Sequence, residues 1–145
     1  MTDIRKIRAV DTYELRHPVL RGGHPIEHCQ FDQDDAKTTM HFGYYENGKL
    51  TGIISLFKTK HPNTGLIGYQ IRGMATGNES RGKGHGKALV EYAESQLKSL
   101  NIPFVWANAR TSALGFYEKL GYQPCSDVFL IEGVGDHVVI EKPLR

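Results

Sequence analysis

Long apolar runs are missing from this sequence. Its longest apolar stretches are four or five residues, far below the ~20 a helix needs to cross a bilayer. Residues 1–8 are polar and carry no signal-peptide core. A soluble cytoplasmic protein with no membrane partner is therefore expected. Cysteine is scarce: Cys29 and Cys125 form no Cys-x-x-Cys pair. Both read as ordinary thiols of a reducing compartment. Charge of one sign is also missing. The formal net charge of +2 is too small by itself to argue for a nucleic-acid partner. No Pro-, Ser- or Gly-rich linker and no internal repeat interrupts the chain.

What is present is enough for one domain over residues 1–145. A chain of 145 residues that is 39% hydrophobic can bury a real core. Asn47-Gly48 separates two alternating segments, 41–46 and 49–58, and an Asn-Gly pair accepts positive φ at both turn positions, so a hairpin is expected. Turn residues at 61–65 lead into a further strand, 66–75. Residues 4–10 read as an edge strand and 12–20 as a short helix. Residues 22–35 are Gly-, Pro- and acid-rich and read as a loop or broken helix.

Beyond the meander the period changes. Leu89, Tyr92, Ala93, Leu97 and Leu100 recur at three- and four-residue spacing, the core face of an amphipathic helix over 87–100. Asn101 is its stop signal, with Pro103 just beyond. Residues 103–107 form a short buried strand, 112–120 a second helix capped by Gly121, and 127–132 and 137–142 two closing strands. The order β-α-βββ-α-β-α-ββ is an α/β fold with a mixed sheet.

The most informative stretch is Arg81-Gly82-Lys83-Gly84-His85-Gly86-Lys87, between a strand and a helix. Alternate glycines let the backbone turn sharply and approach a ligand. The N–H groups that open the helix have no intrahelical partner, and with the helix dipole they form an anion site suited to a diphosphate. Arg81, Lys83 and Lys87 add positive charge. The Walker pattern fails, because Arg81 stands at its first glycine and Ala88 at its Ser/Thr. The dinucleotide fingerprint fails because Lys87 stands at its third glycine. What fits is R-x-x-G-x-G, as Arg81, Gly84 and Gly86.

In that turn the sequence resembles the GNAT superfamily of N-acetyltransferases, whose acetyl-CoA site carries Q/R-x-x-G-x-G/A between the fourth strand and the next helix. A second block, residues 108–122, is similar to the family region that ends F-Y-x-K-x-G-F/Y, here Phe116, Tyr117, Lys119, Gly121 and Tyr122. The two blocks follow in the strand-helix-strand-helix order the family requires.

The resemblance implies a mostly antiparallel mixed sheet, flanked by helices, whose parallel fourth and fifth strands splay apart around acetyl-CoA. The pyrophosphate would sit on the N–H groups of Gly82, Lys83, Gly84, His85, Gly86 and Lys87, with Arg81 beside them. Met74, Ala75 and Thr76 would bind the pantetheine arm through the main chain, like an added strand. Asn108 would bond the pantetheine amides and Phe116 would pack beside them. Tyr117 would occupy the general-acid position and protonate the leaving thiolate after direct attack by an amine.

The base is left open. Residues 66–76 contain no carboxylate; Glu79, His41 and Tyr69 are the candidates. Residues 16–35 would form the acceptor side, where Asp32, Asp34 and Asp35 either attract a cationic amine or form a solvated turn. His24-Pro25-Ile26-Glu27-His28 matches H-x-x-E-H by letters, but Gly22, Gly23 and Pro25 oppose the continuous helix that a metal site needs, and no metal is expected. Trp106 reads as core, and Cys125 as buried rather than catalytic for want of an adjacent histidine. The expected activity is acetyl transfer from acetyl-CoA to a primary amine of a small molecule or peptide. The alternative is a non-catalytic acyl-CoA sensor, and a homodimer is compatible with either.

Overall fold

The computed structural model describes residues 3–20, 29–77 and 82–144. Among these, strands build one sheet in the order β1-β2-β3-β4-β5-β8-β6, with β7 paired to β8. The strands are β1 Asp3–Ile7, β2 Met40–Glu46, β3 Lys49–Lys60, β4 Ile67–Thr76, β5 Phe104–Arg110, β6 Gln123–Pro124, β7 Phe129–Ile131 and β8 Gly135–Pro143. All pairings are antiparallel except β4 with β5. The expected hairpin closes at Asn47 and Gly48, whose φ values of 52° and 78° match the twist of the flanking strands.

Helices cover both faces. On one side α2 (His85–Ser99) and α3 (Leu114–Lys119) pack on the sheet. Leu89, Val90, Ala93 and Leu97 of α2 meet Ile54, Leu56, Ile71, Val105, Ala107 and Ile140 in the main core. Asn101, at φ 60°, ends the α2 turn. On the other side residues 9–20 run through a 3-10 turn, the single α turn α1 (Tyr13–Leu15) and a π-type turn, Arg16–Leu20. Their Leu15, with Val19 and Leu20, closes a smaller cluster on Leu50, Ile53 and Ala75.

That second face holds a buried ion pair. Arg16 is fully buried and grips Asp34 through both terminal nitrogens, at 2.8 and 3.0 Å. It also donates to the Cys29 carbonyl and the Ser55 hydroxyl. Asp34 is thus neither a solvated turn residue nor a free anion for a cationic amine; Asp32 and Asp35 are the exposed ones.

Two features open the sheet. The parallel pairing of β4 and β5 covers only Tyr69↔Val105, Gln70↔Trp106 and Ile71↔Ala107. Beyond it, β4 carries an extra residue. Arg72 faces Ser55 and Ala75 faces Ile53, so Gly73 and Met74 together oppose Ile54. This bulge bends β4 away from β5. Gly73 sits at φ 62°, and a Cβ there would stand 3.1 Å from Phe31 and 3.2 Å from Arg16 Nε, so only glycine fits without strain.

Candidate active site

Past Ile71 and Ala107 the strands enclose a cleft of about 1190 Å³. The α2 side of its mouth is the glycine turn. Gly82 and Gly84 have φ of 81° and 80°, the left-handed conformation that costs other residues ~1–2 kcal/mol. Gly84 is the N-cap, its carbonyl accepting from the Ala88 N–H at 3.0 Å. The first-turn N–H groups that follow are available to a ligand.

Gly82, Gly84, His85, Gly86 and Lys87 line the cleft, with Met74, Ala75 and Thr76 from β4, Asn108 from β5, and Phe116 and Tyr117 from α3. Lys83 is not on that wall; its ammonium lies 3.5 Å from the Glu46 carboxylate. Arg81, Glu79 and the His24–His28 segment lie outside the described residues. His85 offers backbone only, because its ring is buried against Tyr44 and Thr51. A Cβ on Gly86 would meet Phe116 at 3.4 Å and Met74 Sδ at 3.7 Å, ordinary contacts with two side chains that line the cleft.

Tyr117 is 6% exposed, edge-on between Phe116 and Tyr122 with ring centroids 5.0 and 5.4 Å away. Burial pushes its phenol up to about 12, so it stays protonated at neutral pH and keeps an O–H to donate. Behind it, the Tyr122 hydroxyl donates to Glu94 at 2.7 Å, and Lys142 donates to the same carboxylate at 2.8 Å.

The opposite half of the cleft faces the π-turn side of the sheet. Along β5, Val105, Ala107 and Ala109 enter the main core, which turns Asn108 and Arg110 the other way. Gln70, Arg72, Phe31, Ile131, Val134 and His137 complete this wall. His137 stands opposite Arg110 on β8. Its Nδ1 lies 2.7 Å from the Gly135 carbonyl and must carry the proton there. Nε2 is left as an accessible lone pair, since Arg16 Nε is the one inaccessible unpartnered side-chain donor among the described residues. No local sequence signal marks this histidine, whose place follows only from strand pairing.

Two anticipated bases are occupied elsewhere. His41 is buried, with Nδ1 2.6 Å from the Ser55 hydroxyl and Nε2 2.9 Å from the Asp34 carbonyl. Tyr69 donates to the Thr38 carbonyl at 2.9 Å. Cys125 does have a histidine neighbour, contrary to expectation: His61 Nε2 lies 3.7 Å from its sulfur, with Glu141 beside them. Burial and the Glu141 charge nevertheless push the thiol up to about 11, which leaves it a neutral thiol near pH 7. The trio could hold a metal by proximity, yet His61 Nδ1 accepts the Asn63 N–H at 3.1 Å. That bond puts the ring proton on Nε2, where it donates to Glu141 at 2.7 Å, and denies a metal that nitrogen.

The acetyltransferase (GNAT) family model matches residues 4–122. The chain is 37% identical over 146 aligned positions to the uncharacterized N-acetyltransferase YitI of Bacillus subtilis (strain 168), covering 100% of this chain and 98% of that one. Its fold superposes on the ribosomal-protein-S18-alanine N-acetyltransferase of Escherichia coli with TM-score 0.77 at 17% identity, covering 99% and 94% of the two chains. An aminoglycoside 6'-N-acetyltransferase complexed with coenzyme A gives TM-score 0.77 at 14% identity, covering 99% and 97%. With the splayed β4–β5 pair, the glycine-capped helix and a family match over most of its length, the chain belongs to the GNAT family of acetyltransferases.

Proposed function

We propose that this acetyltransferase moves the acetyl group of acetyl-CoA to a primary amine by direct attack. The observation that carries the reading is the convergence of three features on one cleft: the left-handed Gly84 cap, the β4 edge released by the bulge, and the Tyr117 phenol. The N–H groups at the start of α2 suit the diphosphate, with Lys87 adding charge. The edge of residues 74–76 on the β5 side takes part in no strand pairing among the described residues, so its main chain suits the pantetheine amides as an added strand.

The amine forms the N–C bond as the C–S bond breaks, and one amine proton replaces the acetyl group on sulfur. Tyr117, expected as the general acid but a weaker acid than a thiol of pKa ~8.5, acts on the developing thiolate through a donated hydrogen bond rather than a completed proton transfer. A lysine-like amine of pKa ~10.4 is mostly protonated near pH 7, so a second proton must leave. His137 Nε2 is the lone pair on the acceptor wall placed to take it.

The test is calorimetry with CoA plus a thiol-release assay over an amine panel. Wild type binds CoA. Gly86→Val, whose Cβ would press on the cleft-lining Phe116 and Met74, loses at least tenfold in affinity, and Tyr117→Phe keeps affinity but loses ~10²-fold or more in turnover. Unchanged CoA affinity in Gly86→Val removes this turn as the site. CoA binding without turnover of any amine favours a sensor.

A further inference from the structure

The two halves of the cleft differ in what they offer a second substrate. Among the described residues lining the cleft there is no Asp or Glu. The carboxylate of the second face that could have answered a cation, Asp34, is held by Arg16 at 2.8 and 3.0 Å and is buried. The charged groups on the acceptor wall are instead cationic. Arg110 ends β5, is exposed, and forms no ion pair among the described residues. Arg72 ends the opposite lip, one residue beyond the last β4–β5 pair. Its guanidinium is steered by the Phe31 ring, 4.3 Å away, and by Phe57 at 5.6 Å. The planar Arg110 guanidinium suits the flat, forked recognition of an oxyanion.

We infer that the acceptor is a primary amine that also carries an anionic group, a carboxylate or a phosphate, engaged by Arg110. This rests on the acetyltransferase reading above. Its anion site is distinct from the start of α2: Arg110 projects from the face of β5 opposite Ala107 and Ala109, which pack toward α2 and α3. One oxyanion site therefore serves the donor and another the acceptor. Between them Asn108 and Gln70 offer neutral hydrogen bonds, and Ile131 and Val134 an apolar surface for the acceptor's carbon skeleton.

The experiment compares matched amines in the thiol-release assay: glutamate for the carboxylate arm, phosphoethanolamine against ethanolamine and glucosamine 6-phosphate against glucosamine for the phosphate arm, spermidine and kanamycin as polycations. An anionic amine should exceed the uncharged and polycationic amines at least tenfold in kcat/KM, and the arm that does so names the anion. Arg110→Glu should erase that preference while CoA affinity by calorimetry stays within twofold, and Arg110→Lys should restore part of it. Circular dichroism checks that both variants fold. Equal or better turnover of polycations, no turnover of any anionic amine by a protein that binds CoA, or a preference untouched by Arg110→Glu overturns the inference and leaves the donor site standing. Loss of CoA affinity in Arg110→Glu also overturns it, by assigning Arg110 to the donor. Failure of wild type to bind CoA defeats the acetyltransferase reading itself, and this inference with it.

Discussion

The imidazole of His85 lies flat against the ring of Tyr44, with centroids 4.0 Å apart and planes 17° from parallel. Its Nδ1 is 3.1 Å from the Thr51 hydroxyl and its Nε2 is 3.5 Å from Glu46. The first residue of α2 is thereby clamped to β2 and β3, and the helix start is aimed at the cleft. His85→Ala should lower stability by about 2 kcal/mol, through lost packing against Tyr44 and the lost bond to Thr51. It should also weaken CoA binding about tenfold, because the N–H groups lose their fixed direction. Urea denaturation and CoA calorimetry check the two effects separately; intact affinity would show that the turn holds its shape without the clamp.

His137→Asn should lower kcat about 10²-fold with CoA affinity unchanged. Imidazole added to the buffer should recover part of the loss. Steady-state kinetics with the best amine of the panel decides this, and an unaltered kcat would leave deprotonation to water.

Asp34→Asn should destabilise the fold by about 3–5 kcal/mol, because it strands the Arg16 guanidinium in the interior. The exposed pair between Arg5 and Asp3, 2.6 Å long, is the control, and Asp3→Asn should leave the urea midpoint almost unmoved. Equal effects at the two sites would contradict the burial argument.

Stability should fall at alkaline pH. Burial lifts Cys125 from 9 to about 11 and Tyr117 from 10 to about 12, and lifts Tyr122 well above its ordinary range with help from Glu94. Each group is neutral when protonated, so the unfolded chain releases its proton first. The stabilisation is complete below about pH 9 and declines as pH climbs toward 12. Tyr117 accounts for up to about 1.4 kcal/mol per pH unit over the upper part of that window. Melting temperature followed from pH 8 to 12 reads this directly. Tyr117→Phe should flatten the upper limb, and Cys125→Ser should soften its onset.

Much of the scaffold was legible because its signals are local. Asn47-Gly48 announces a hairpin through backbone preference alone, and α2 through the spacing of Leu89, Ala93 and Leu97. The alternate glycines from Gly82 to Gly86 announce a turn that only they can make. The hidden parts depend on distance in sequence. Arg16 and Asp34 are charged residues that read as surface until the fold pairs them. β6 is two residues long and has no period to detect. The bulge at Gly73 exists only relative to β3. His137 enters the cleft because β8 pairs with β5, and His61 meets Cys125 from 64 positions away.

The brevity of the β4–β5 pairing has a mechanical consequence. The sheet is two ribbons stitched by three rungs. Strands consecutive in the chain assemble the first ribbon, while the second arrives over the α2 crossover and is finished by a strand from the far end of the chain. Native proteins open first where fewest interactions must be undone. Here that short seam borders the cleft, so the pairing with fewest rungs to undo lies beside the proposed site.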